Sequence, residues 1–242
     1  EGLLEKYASP SAADIPAEFK DKDGCWTGYA ARGRVIVYNT EKLTAQDAPR
    51  SLSSFTDSRW KGQCSIARPL FGTTSTHSLV LFEKLGAEKA RELFKSMRAN
   101  DIIVAQGNAT VRDQVARGEC LFGWTDTDDV WVGLEASKPI GIVYPDQGAD
   151  EVGMLLIPNT VALIKGSPNA ENGKKLIDFL LSQEVEQMLA DGRGRQIPVR
   201  KGLRPPKDML PLESLKILQV DYEKAIGRLD EVNRFLQEDF LR

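Results

Sequence analysis

Two periodicities alternate along the chain. Short β-branched or aromatic runs bounded by turn residues predict strands at 25–29, 34–38, 64–67, 102–105, 120–124 and 140–144. Two more, 155–157 and 161–164, flank a Pro158-Asn159 bend. Between them, apolar residues recur at helical spacing. A helix follows Gly72-Thr73-Thr74-Ser75-Thr76 and stops at Gly86. The next carries Ala90, Leu93, Phe94 and Met97 on one face, with Asn100 as its C-cap. Gly107-Asn108 opens a third, carrying Val111 and Val115, and a short helix lies between the strands at 120–124 and 140–144. Residues 170–181 predict a helix burying Leu176, Ile177, Leu180 and Leu181, and Ser182 caps another. A last long helix carries a stripe of Tyr222, Ile226, Leu229, Val232, Leu236 and Phe240. Residues 1–8 read as the end of a helix and 9–24 as a loop. Strands alternating with helices predict an α/β fold with mainly parallel pairing.

Composition narrows the function classes. Lys and Arg total 32 against 35 Asp and Glu, a net charge of −3 with no basic pole, which gives no electrostatic reason to expect nucleic acid. No apolar run reaches the ~20 residues of a membrane span. Cys25, Cys64 and Cys120 are an odd, widely spaced set beside strands and read as small core residues. His77 is the single histidine, so no multi-histidine metal site is available, and no nucleophile-elbow pattern accompanies it.

Six segments, taken in order, carry a resemblance. They are Trp26-Thr-Gly-Tyr-Ala-Ala-Arg32-Gly-Arg-Val-Ile-Val-Tyr38-Asn39-Thr40, the stretch from Trp60 to Thr74, Gly107-Asn108-Ala-Thr-Val111 with Ala116-Arg-Gly118-Glu119, Pro158-Asn159-Thr-Val-Ala-Leu-Ile164, Leu176-Ile-Asp178-Phe-Leu-Leu-Ser182, and Ile197-Pro198-Val199-Arg200. Together they resemble the periplasmic solute-binding proteins of ABC transporters, of the ferric-iron-binding type. The resemblance implies a two-lobed type 2 fold with discontinuous lobes: 1–37 with 153–198 as lobe one, and 38–152 with 199–242 as lobe two. It also implies that lobe one is incomplete here, with self-association as one consequence. The implied role is capture of a small molecule or metal ion in an interlobe cleft outside the cytoplasm, delivery to a membrane permease, and no catalysis. The alternative is a ligand-sensing domain of a receptor or regulator on the same fold.

The resemblance places Thr73, Thr74 and Ser75 at the cleft and Arg32 near the hinge, where Arg32 reads equally as a paired or solvated strand arginine. Asn108, opening a helix, and Asp126, Thr127 and Asp128, a carboxylate-rich strand-to-helix turn whose acids could instead cap the helix, complete the candidate ligand contacts. For Thr73 to Ser75 and Asn108 the competing reading is helix capping, since a helix start offers unpaired N–H groups to a side chain and an anion alike. Arg34 reads as an ion-paired or solvated strand arginine, Trp124 and Trp131 as core, and the basic run 193–207 as solvated surface. The ferric-iron proteins carry adjacent tyrosines where this chain reads Gly123-Trp124-Thr125-Asp126-Thr127-Asp128-Asp129-Val130-Trp131, with no tyrosine. Phenolate ligation is therefore not expected from this segment. Asp126 and Asp128 could hold a hard cation through oxygen, or meet an ammonium group. No other cofactor is expected.

Overall fold

In the computed structural model, which describes residues 2–242, the chain begins with β1 (Leu4–Glu5) and a long β2 (Trp26–Asn39). There follow β3 (Cys64–Ala67), α1 (Gly72–Leu85), α2 (Ala87–Ala99), β4 (Ile103–Ala105), α3 (Asn108–Ala116), β5 (Phe122–Asp126), α4 (Thr127–Glu135) and β6 (Ile140–Val143). The remainder is β7 (Leu156–Ile164), α5 (Ala170–Leu180), α6 (Gln183–Asp191), α7 (Tyr222–Ile226) and α8 (Leu229–Phe235), closed by a π-helical turn at Leu236–Phe240.

The chain forms two compact units. One takes the chain up to Gly33 and Leu156–Pro211; the other takes Arg34–Leu155 and Leu212–Arg242. The boundaries fall at 33/34, 155/156 and 211/212, where the sequence suggested 37/38, 152/153 and 198/199. Residues 199–211 join the first unit because Arg200 is fastened there. Its guanidinium pairs with the buried Glu186 and reaches Asp14 at 2.7 Å and the Leu181 carbonyl at 2.7 Å.

In the first unit β7 runs antiparallel to β1 and to the first half of β2. Residues 2–8 therefore give an edge strand and not a helix end, because pairing with β7 overrides the local pattern. The expected break at Pro158 is also absent, and β7 is continuous. Pro158 lies opposite Ala31, whose N–H and C=O both bond to Ile197, at 2.7 and 2.8 Å. The ladder asks no donor of the proline there. The same pairing makes the strands expected at 25–29 and 34–38 one strand.

In the second unit the rest of β2 lies antiparallel to β5 and β6, and β5 runs parallel to β3, which runs parallel to β4. Among the described strands only those last two pairings are parallel, fewer than expected, because β2 meets its neighbours head to tail. Val35, Ile36 and Val37 are fully buried, so β2 is a central strand covered on both faces. The core packs Phe55, Phe82, Phe94, Phe122, Trp124 and Phe235 around Ile36 and Ile66. The C-terminal stripe breaks after Ile226: Val232, Leu236 and Phe240 are buried, whereas Tyr222 and Ile226 are exposed. On α5, Ile177 is buried but Leu176 points outward. Cys64 and Cys120 are buried free thiols, while Cys25 is only half-buried. Among the described residues no helix is long and apolar enough to cross a membrane.

Candidate ligand-binding site

β2 and β5 place Arg34 directly opposite Asp126. Their side chains close a salt bridge at 2.6 Å with essentially no exposure on either partner. A charge this deep needs its hydrogen-bonding capacity met. Three helix starts in the same unit meet it with side chains. Asp126 Oδ2 accepts from the Thr73 hydroxyl at 2.6 Å and from the Asn108 amide at 2.8 Å. Arg34 also donates to Thr73 and Asn108 at 3.2 Å and to Thr74 at 3.1 Å. Asn108 donates to Thr73 at 2.8 Å, and its carbonyl oxygen accepts from Thr74 at 3.2 Å. Thr73 and Thr74 stand in the first turn of α1, Asn108 opens α3, and Asp126 immediately precedes α4. The circuit thus ties three helix N-termini together.

None of these starts is capped by its own side chain. The residues ahead of α1, α3 and α4 are Phe71, Gly107 and Asp126, and none accepts a side-chain capping bond. Asn108 is the first helical residue and not the cap, and its amide turns to Asp126 and Thr73. Asp126 spends its carboxylate on Arg34, Thr73 and Asn108. The three helix starts therefore lack an N-cap side chain, and the positive ends of three dipoles meet there. α3 reaches this position by seating on β5: a Cβ at Gly123 would lie 2.3 Å from Val111 Cγ1.

The first turn of α4 adds Asp128 and Asp129, half-buried. A carboxylate oxygen from each of Asp126, Asp128 and Asp129 lies within 4.8 Å of the others. Burial, then the Asp128 and Asp126 charges, push the Asp129 carboxyl up to about 7. Its carboxylate accepts from the Thr125 hydroxyl at 3.3 Å. Under the circuit, Trp124 stacks below Arg34 at 5.0 Å and meets His77 edge-on at 4.4 Å. Burial and the Arg34 charge hold His77 well below its ordinary value, so it is neutral. Neither of its ring nitrogens has a hydrogen-bond partner, so it anchors no catalytic triad.

Of the residues expected at the ligand, Thr73, Thr74, Asn108 and Asp126 come together, with Thr127 and Asp128 in the adjoining turn. Thr74 and Thr127 are fully buried, and Ser75 is half-buried on α1. Arg32 belongs to the other unit, where it donates to Asn159, which donates in turn to Gln196 at 2.7 Å. Arg34, which its sequence context suggests is a paired or solvated strand arginine, is the centre of the network. The signal that could have found it is the run Val35-Ile36-Val37 beside it: a strand apolar at every position is buried on both faces, and a charge at its end must be matched.

The model of the family described as bacterial extracellular solute-binding protein matches residues 1–225. The chain belongs to that family. The structure of AfuA from Actinobacillus pleuropneumoniae with fructose-6-phosphate is similar at TM-score 0.84 and 27% identity, covering all of this chain and 78% of that one. Iron uptake protein A1 of Synechocystis is 26% identical over 93% of this chain and 64% of its own length. A Salmonella typhi periplasmic protein provisionally named for 2-aminoethylphosphonate binding is 25% identical over 85% of this chain and 59% of its own length. The fold is that of the two-lobed type 2 periplasmic binding proteins. The chain spans 59% to 66% of the length of the curated relatives it matches.

Proposed function

We propose that this chain is the solute-capturing part of an ABC importer, working outside the cytoplasmic membrane with a membrane permease, and that it performs no chemistry on its solute. The solute is a small organic molecule presenting an oxyanion group: a phosphate ester, a phosphonate or a carboxylate. The observation that carries this reading is the meeting of three uncapped helix N-termini on one closed circuit of hydroxyl, amide and ion-paired side chains. Such a place offers several N–H donors and positive dipole to an anion without a mobile charged side chain. The ligands named for two of the three relatives above carry a phosphate or phosphonate group.

A second reading, a hard cation, is favoured by the three clustered carboxylates. It meets two obstacles. Both oxygens of Asp126 are already bonded, and the Arg34 guanidinium sits 2.6 Å from one of them. No tyrosine lies between 123 and 131 to supply an iron phenolate. A ligand-sensing role on the same fold would use the same site and differs only in what receives the signal.

Calorimetric titration of the whole chain with fructose 6-phosphate, 2-aminoethylphosphonate, ferric citrate and Mg²⁺ separates the readings. Binding of a phosphate- or phosphonate-bearing solute that is lost in Thr73→Val supports the oxyanion reading. Binding of metal alone, lost in Asp128→Asn, overturns it.

A further inference from the structure

We propose that Phe71 is the apolar wall of this site: its ring holds the carbon skeleton of the solute while the helix starts hold the oxyanion, so that organic oxyanions are selected over inorganic ones. The inference rests on the oxyanion reading above and adds to it how the rest of the solute is recognised.

The second unit contains seven phenylalanines. Six of them, Phe55, Phe82, Phe94, Phe122, Phe235 and Phe240, are at most 4% exposed, whereas Phe71 stands at 69%. Its place in the chain gives that exposure a use. It is the residue immediately ahead of α1, and its carbonyl accepts from the Ser75 N–H at 3.3 Å. Phe71 is extended, and Gly72 turns the chain into the helix with φ +57°, a left-handed value that a side chain would strain. The ring is thus fixed at the start of the helix whose Thr73 bonds Asp126. Space is open there: a Cβ added at Gly72 would meet nothing within 4 Å, and neither would one at Gly107, ahead of α3. The circuit itself offers a solute polar atoms, whereas small-molecule sites are lined mainly by apolar and aromatic groups around a few polar ones. Among the described residues of the three helix starts, Phe71 is the one large apolar side chain that is exposed. The face of its ring is electronegative, so it repels an oxyanion and favours C–H groups or an ammonium. The Asp128 carboxylate in the first turn of α4, and that of Asp129 when ionised, act in the same sense, since their charge opposes a second acidic group on the solute. The two ends of the solute are thereby sorted, the oxyanion to the helix starts and a neutral or cationic skeleton to the ring.

Calorimetric titration with fructose 6-phosphate, 2-aminoethylphosphonate and inorganic phosphate tests this on the wild type, Phe71→Ala and Phe71→Leu, at a single pH so that Asp129 is equally protonated throughout. Because the ring is exposed, both variants should keep the wild-type urea midpoint. Phe71→Ala should lower affinity for the tighter-binding organic solute by about tenfold and leave inorganic phosphate within about twofold of the wild type. Phe71→Leu, which keeps a large apolar group, should lose no more than about threefold. Unchanged affinity for the organic solute in Phe71→Ala overturns the inference. So does an equal loss for inorganic phosphate, which would mean that the residue shapes the helix start and does not touch the skeleton. Where inorganic phosphate binds too weakly to titrate, Phe71→Leu decides, and a loss there as large as that of Phe71→Ala overturns the apolar wall. A wild type that binds inorganic phosphate as tightly as either organic solute overturns it as well. If the wild type binds none of the three, the oxyanion reading itself falls, and this inference with it.

Discussion

Each unit buries one arginine–carboxylate pair, and the two are satisfied in different ways. In the first unit Arg200 pairs with Glu186, and the remaining partners are largely backbone. Glu186 accepts from the N–H groups of Val199 and Arg200, and Arg200 donates to the carbonyls of Ser11 and Leu181. Every bond fastens one chain segment to another, so the pair is a clamp. In the second unit Arg34 pairs with Asp126, and the partners are the side chains of Thr73, Thr74 and Asn108 at the starts of helices. Those bonds join three helix starts through side chains, and the residue ahead of each start gives no side-chain cap. A buried charge answered by backbone consumes the local polar capacity. One answered by hydroxyls and amides can instead draw several helix starts to one place.

The largest expected effect breaks the clamp. Arg200→Ala leaves Glu186 buried without its cation, which should cost about 3–5 kcal/mol of stability. Denaturant unfolding should show that loss, while affinity for an oxyanion-bearing solute measured well below the transition stays within about twofold, since the site lies in the other unit. A loss of affinity as large as the loss of stability would mean that the two pairs are not separable in role.

A smaller effect sharpens the electrostatic side of the comparison. Asp129 carries a carboxyl whose folded value of about 7 lies above its ordinary 3.8. The folded state then binds this proton more tightly than the unfolded state, so the contribution to stability falls as pH rises from 4 to 7. The penalty is complete above 7 and absent below 4. Asp129→Asn should therefore stabilise the protein by up to about 4 kcal/mol at pH 8 and leave it nearly unchanged at pH 4. Urea midpoints at the two pH values check this, and an equal shift at both would show that burial of this charge is not the cause. At the clamp the Asp14 carboxyl is instead held below its ordinary value by its hydrogen bond to Arg200. Carrying such a cost is a mark of functional sites more than of structural ones.

These contrasts also show what the chain discloses locally. Helices α1 to α3 and strands β3 and β6 follow from spacing and punctuation, since their apolar faces are contiguous in sequence. The continuity of β2 does not, because Ala30-Ala31-Arg32-Gly33 has no strand signal of its own and is held by β7 and Ile197. The clustering of Thr73, Asn108 and Asp126 follows only in part. A helix start names each as a polar terminus, yet Arg34 and Asp126 lie 92 residues apart and no local pattern joins them. The C-terminal stripe misled for the opposite reason: its period is regular, but the chain breaks at Gly227 and the first two members find no core to enter.

Thr74 is the finest test of the difference between clamp and site. Its hydroxyl accepts from Arg34 at 3.1 Å and donates to Asn108 at 3.2 Å, and the residue is fully buried. As a link in the circuit it acts on a solute only through the residues it holds. Valine has the same shape without the hydroxyl, so Thr74→Val removes both bonds and adds no bulk. The expected stability loss is about 1 kcal/mol, the usual worth of such a bond. Affinity for the oxyanion-bearing solute should fall by only about threefold, as Asn108 and Arg34 lose one restraint each. Thr73→Val, which unseats a direct partner of Asp126 at the rim of the same turn, should lower affinity further at a similar cost in stability. If Thr74→Val abolishes binding while Thr73→Val is silent, the buried threonine is the contact and the assignment of the two side chains must be exchanged. That ordering of two neighbouring residues is something a clamp cannot produce, because its variants change stability and leave affinity where it was.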